Sequence, residues 1–157
     1  MTENWTWRKF EELSLFEFHR IIRARQKVFI VEQDCIYEDA DDYDVSAWHL
    51  SNWHKDKNGE LVLAAYLRVL PAKMKYPEVT FGRVLVSKDY RGTGLGKRLV
   101  ATAIKNIEAE FSTHTIRISA QAYLKNFYQN FGFQQCKEPY DEDGILHVEM
   151  LKKKNGC

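Results

Sequence analysis

The sequence predicts a mixed α/β (α+β) fold, with a mostly antiparallel central sheet and helices on both faces. Two observations carry this reading. After one early helix, residues 47–87 read as short apolar runs separated by turn residues, the pattern of an antiparallel meander. From residue 91 onward the period changes to 3.6 and then alternates between helix and strand. A length of 157 residues with 45% apolar content suits one domain spanning 1–157.

Each element has a local reason. Residues 5–10 alternate as a strand. Ser14 with Glu17 three positions on is a capping box, and Leu15, Phe18, Ile22 and Phe29 recur at helical spacing to about Val31. The polar stretch 32–44 breaks that period. Strands are expected at 47–54 and 61–70, joined through Asp56-Lys57-Asn58-Gly59, where Asn and Gly both tolerate positive φ. A connection over 71–78 leads to a third strand, 79–87. Leu99, Ala103, Ile104, Ile107 and Phe111 mark a long amphipathic helix. Ile116, Ile118 and Ala120 share one face of a strand at 115–120, which should lie parallel to the 79–87 strand through a right-handed crossover. A short helix over 123–131 stops at Gly132, and strands at 133–138 and 144–151 close the order.

Composition excludes several function classes. With 23 basic and 22 acidic side chains the net charge is +1, which leaves no electrostatic footprint for nucleic acid. No apolar run reaches the roughly 18 residues of a membrane span. The opening Met1-Thr2-Glu3-Asn4-Trp5 lacks the basic and apolar regions of a secretory leader, so the expected location is cytoplasmic. Three cysteines, Cys35, Cys136 and Cys157, without C-x-x-C spacing favour reduced thiols over disulfides or zinc. Cys136 reads as a small core residue and Cys157 as a frayed terminus. The histidines are scattered and H-E-x-x-H is absent, so no metal is expected. The aromatic content of 13% is compatible with a homodimer face without requiring one.

Most of the chemistry lies in Arg91-Gly92-Thr93-Gly94-Leu95-Gly96-Lys97, a turn between the 79–87 strand and the long helix. Three Cβ-less residues let a ligand approach the backbone, and the helix behind them offers unsatisfied N–H groups and its positive dipole end. Together these make an anion site of the kind that takes phosphate, with Arg91, Lys97 and Arg98 adding charge. The spacing fits neither a Walker A loop nor a G-x-G-x-x-G dinucleotide turn.

Arg91-Gly92-Thr93-Gly94-Leu95-Gly96 resembles the R/Q-x-x-G-x-G/A pyrophosphate loop of the GNAT acetyltransferase superfamily. Asn126-Phe127-Tyr128-Gln129-Asn130-Phe131-Gly132-Phe133 resembles its FY-x-x-x-GF segment, on the right element and in the right order. Arg25-x-x-Val28-Phe29-Ile30-Val31-Glu32-Gln33, and Gly82-Arg83-Val84 with Ala120-Gln121-Ala122, are similar to the ElaA-type branch. The resemblance implies acetyl-CoA as cosubstrate and an amine, small-molecule or peptide, as acceptor. It implies that Arg91, Gly92, Thr93, Gly94, Leu95, Gly96 and Lys97 hold the pyrophosphate. The Leu85 and Val86 backbone would pair with the pantetheine arm, Asn126 would touch it, and Tyr128 would protonate the departing thiolate. From its branch pattern, Glu32 and Gln33 become acceptor-site residues.

The acids Glu38, Asp39, Asp41, Asp42 and Asp44 read either as a solvated loop or as an acidic lip for a cationic amine, with Asp39, Asp41 and Asp42 in contact with it. His49 and His147 read as hydrogen-bonded strand residues, and the strand arginines Arg68 and Arg83 need nearby acids or an anionic acceptor. Tyr128 taken alone reads as core. Two alternatives stay open: a non-catalytic acyl-CoA sensor, and an interaction domain with a fortuitous glycine turn.

Overall fold

The computed structural model of the protein describes residues 4–154; residues 1–3 and 155–157, Cys157 among them, lie outside the described part. Strands β1 (Asn4–Lys9), β2 (Trp48–Lys55), β3 (Leu61–Leu70) and β4 (Thr80–Val86) form one antiparallel sheet in that order. Strands β5 (Ile116–Gln121), β8 (Ile145–Lys152) and β6 (Phe133–Gln135) form a second, and β7 (Tyr140–Glu142) pairs with β8. The helices are α1 (Leu15–Arg25), α2 (Leu95–Phe111) and α3 (Lys125–Gln129).

Strand β3 is the centre of the first sheet, and it is buried from Leu63 to Leu70 because both faces are covered. On one face α1 and its extension set Ile21 and Phe29 against Trp53, Leu63, Tyr66 and Leu85. On the other, α2 sets Leu99, Ala103 and Ile107 against Leu67 and Val69, and this core continues through Ile116, Ile118, Phe133 and Met150 of the second sheet. The capping box at Ser14 is present, with Glu17 N–H donating to Ser14 Oγ at 3.0 Å and Ser14 N–H to the Glu17 carboxylate at 3.0 Å.

Several expectations need correction. The first helix ends at Arg25 and widens into a seven-residue π turn, Gln26–Glu32, in which Gln33 N–H reaches back to Val28 O and Cys35 N–H to Ile30 O. Its buried residues are Ile21, Arg25 and Phe29, whereas Leu15 is exposed, because an arginine occupies the inward position that an apolar stripe would claim. The parallel pairing of β4 with β5 is confined to one bridge, Val79 to Ile116, with Arg117 N–H donating to Val79 O at 3.0 Å. Beyond it the strands part. Cys136 is exposed rather than core. In the first hairpin Gly59 alone takes positive φ (80°), while the Asp56 carboxylate accepts from the Asn58 and Glu60 N–H groups. The Asp143-Gly144 turn, with both residues at positive φ, folds β7 back onto β8, a pairing that the pattern over residues 139–143 does not announce.

Candidate active site

Where β4 and β5 separate, their facing edges are unpaired and a cleft of about 750 Å³ opens between the sheets. Val84, Leu85 and Val86 form one wall, and Ile118, Ser119, Ala120 and Gln121 the other. The separation begins at a bulge. Pairing of β3 with β4 passes from Tyr66–Leu85 to Arg68–Gly82, leaving Arg83 and Val84 opposite a single residue, and Arg83 takes φ 52°. A left-handed arginine is strained, and the residue is held there by ion pairs through its own side chain.

The glycine turn closes one end of the cleft, where Arg91 and Gly96 line it. Gly92 (φ 76°) and Gly94 (φ 81°) adopt a conformation that side chains with Cβ rarely take. Gly94 is the N-cap of α2, and among the described residues the helix has no side-chain N-cap hydrogen bond. A 17-residue helix thus presents its N-terminus to a turn with little side-chain bulk, the geometry an anion cradle requires. Lys97 is exposed on the first turn, Thr93 Oγ1 donates to Tyr90 O, and Leu95 is core.

Tyr128 on α3 is only 4% exposed, yet it lines the cleft. Its ring packs edge-on against Phe127 and Phe133, and among the described residues its hydroxyl meets no hydrogen-bonding partner. Burial pushes this phenol well above the ordinary tyrosine value, with the Tyr123 charge adding to the rise, so it stays protonated. Asn126 is exposed on the same helix; Leu124, Phe127 and Tyr128 form the wall instead.

The acidic run is neither a solvated loop nor a free lip. Asp39 and Asp44 are 6% and 3% exposed, and with Asp41 they surround three arginines. Arg25, fully buried, donates from Nε to Asp39 at 2.8 Å and from Nη1 to Asp44 at 2.6 Å. Arg68 joins Asp44 at 2.9 Å and Asp41 at 2.8 Å. Arg83 Nε sits 2.9 Å from Asp39, which also accepts from the Tyr37 hydroxyl at 2.7 Å. Of the predicted acceptor acids, Asp41 reaches the cleft, Asp39 stands behind it, and Asp42 is exposed outside it. His49 completes the network. Asp44 O can only accept, so His49 Nε2 carries the hydrogen and Nδ1 accepts from Tyr66.

These groups set a pH dependence. Burial alone would raise Asp41 and Asp44, but hydrogen bonds and charge from Arg68 and Arg25 hold both below the ordinary carboxylate value. Burial lowers His49. All three groups bind fewer protons folded than unfolded near their transitions, so each stabilises at high pH and loses that contribution as pH falls. The thermal midpoint should fall gently below about pH 6.5 as His49 takes a proton on unfolding, and steeply below about pH 4 as the aspartates do. A midpoint level from about pH 7 to about pH 3 would contradict the network's role.

At the rim, the end of the π turn meets both other parts of the site. Glu32 pairs with Arg91 at 2.8 Å, and Gln121 Nε2 donates to Gln33 Oε1 at 3.3 Å. Arg91 Nε also donates to Val86 O at 2.9 Å, tying the glycine turn to the cleft wall. A second groove of about 400 Å³, between Lys97, Arg98 and Ala101 of α2 and Phe127, Asn130 and Phe131, adjoins the glycine turn. Lys97 and Arg98 are legible in the sequence as charge beside the turn. The aromatic side of the groove is not, because Phe127 and Phe131 reach it from a segment about 30 residues further along the chain.

Comparison with known proteins decides the family. Residues 51–154 match the acetyltransferase (GNAT) domain family. The chain belongs to the GNAT acetyltransferases. Within them it falls in the ElaA-type branch. It is 38% identical over 144 residues to Protein ElaA of Escherichia coli (strain K12), covering 90% of this chain and 91% of that one. A UPF0039 protein of Synechocystis sp. is 42% identical over 151 residues, 96% of each chain. The crystal structure of an acyl-CoA N-acyltransferase from Pseudomonas aeruginosa superposes with a TM-score of 0.88 at 35% identity, covering 96% of this chain and 99% of that one. That of Escherichia coli ElaA gives 0.87 at 33%, covering 97% and 100%. For this GNAT protein, membership sets acyl transfer as the general reaction class.

Proposed function

We propose that the protein transfers an acetyl group from acetyl-CoA to an amine by direct attack of the amine on the thioester. The observation that carries the proposal is the cleft between the parted strands, ending at the uncapped helix and its two left-handed glycines. The cradle from Arg91 to Lys97 suits a diphosphate. The Val84–Val86 edge can hydrogen-bond an extended pantetheine arm as an added strand would. The Lys97/Phe127/Phe131 groove suits the nucleotide end through charge and stacking.

The chemistry makes three demands. The amine must lose a proton, since a lysine-like amine is about one part in a few thousand neutral at pH 7. The oxyanion needs fixed N–H donors, commonly worth about 3–4 kcal/mol, for which the Val86 region supplies backbone. The leaving sulfur needs a proton, and the acid in this reading is Tyr128, whose burial and protonated state on the cleft wall support the role.

Calorimetric titration with acetyl-CoA tests the first half. Binding is expected for the native chain. Gly94→Val, which forces a β-branched residue to φ 81°, is expected to weaken it more than tenfold while the circular dichroism spectrum persists. Undiminished binding would place the anion cradle elsewhere. Release of free thiol across an amine library tests the second half; binding without release would favour an acyl-CoA sensor.

A further inference from the structure

We infer that His147 is the general base of this reaction, accepting the amine proton at Nε2; the inference rests on the acyl-transfer reading above. His147 lies on β8 opposite Gln121 of β5, and it lines the cleft that Tyr128 lines. Its Nδ1 is 2.7 Å from Ile145 O. A carbonyl oxygen only accepts, so Nδ1 carries the hydrogen and the Nε2 lone pair is left for an incoming proton. Glu142 Oε2 stands 3.4 Å from Nε2. That contact becomes an ion pair once Nε2 is protonated, so the carboxylate stabilises the imidazolium that proton capture creates. The ring stacks on Tyr140 with centroids 6.0 Å apart, and the Tyr140 hydroxyl is bonded to Ser119. The base is thus held by packing on one side and by its backbone hydrogen bond on the other.

Two acids of the cleft are already engaged. Asp41 is committed to Arg68 and Arg83, and Glu32 to Arg91. His49 lies outside the cleft lining, and both its ring nitrogens are already used. The proton inventory closes. One proton of the bound ammonium passes to His147 Nε2 and on to solvent, and the neutral nitrogen forms the C–N bond. As the C–S bond breaks, sulfur takes the Tyr128 phenol proton, and the second proton shed by nitrogen returns through solvent to the phenolate. The products are an amide, a thiol and one released proton.

Other titratable groups near this ring are Tyr140 and Glu142 from β7, Asp143 from the turn, Lys75 and Tyr76 from the connection before β4, and Cys35. Strand β5 presents uncharged Ser119 and Gln121. The test uses the full chain and an amine from the thiol-release screen. For the native protein kcat should rise with pH through one inflection. His147→Gln should lower kcat on the order of tenfold, keep the acetyl-CoA KM and abolish the inflection, and free imidazole should restore rate to His147→Ala. Glu142→Gln, on a half-exposed side chain, should lower kcat severalfold and keep the acetyl-CoA KM. Lys75→Gln, which removes a cation that interacts with Glu142, should retain an inflection. An unchanged inflection in His147→Gln, or its loss in Lys75→Gln, overturns the assignment while acyl transfer stands. A native chain that binds acetyl-CoA yet transfers to no amine overturns the parent reading and this one together.

Discussion

Arg25→Met should cost about 3–5 kcal/mol of stability, the range for removing one partner from a buried ion pair. The substituted side chain has nearly the right volume, but it leaves the Asp39 and Asp44 carboxylates inside without their shortest ion-pair contacts, 2.8 and 2.6 Å. Arg68 and Arg83 would still face them, which places the loss within that range rather than beyond it. Against a total of about 5–15 kcal/mol for a typical domain, this is a large share. In urea the midpoint should drop with little change in slope. Adding Asp44→Asn to Arg25→Met should return part of the loss, because it removes one stranded charge. A midpoint for Arg25→Met within about 0.5 kcal/mol of the native value would show that the arginine is ornamental.

Tyr128→Phe should reduce turnover by about a hundredfold or more, the usual scale for a positioned acid. Acetyl-CoA affinity should stay within about twofold, since the ring and its contacts with Phe127 and Phe133 remain. The hydroxyl has no hydrogen bond to lose among the described residues, so stability should hold or rise slightly. Initial rates set beside calorimetry separate the outcomes. Equal losses in rate and affinity, or no loss in either, would take Tyr128 out of the chemistry.

The parts of this site that could be read from sequence are those whose physics is local. Three glycines between a strand and an amphipathic helix announce an anion cradle in one stretch of chain, and the structure has the positive φ values at Gly92 and Gly94. The Ile116, Ile118 and Ala120 alternation is likewise a property of one strand. The unread parts depend on distance in sequence. Arg25 is buried only because Asp39 and Asp44 come back to meet it, and nothing local distinguishes it from exposed Arg23. The same separation hid the fate of the acidic run. The cleft itself escaped because a strand–helix–strand pattern predicts paired strands, and the bulge at Arg83 that parts them carries no glycine at the strained position.

The wide turn after α1 has a consequence for which changes of length this chain can accept. An α-helix advances about 100° per residue, so excising any single residue of Gln26–Glu32 would let the segment relax to regular winding and swing the downstream residues around the axis by about that angle. Glu32 and Gln33 would rotate off Arg91 and Gln121, and both tethers across the rim would be lost at once. Substitution at the outward-facing Gln26 or Lys27 leaves that geometry untouched. At those two exposed positions the segment is permissive in letters, yet along its whole length it is strict in number, the opposite of an ordinary surface loop.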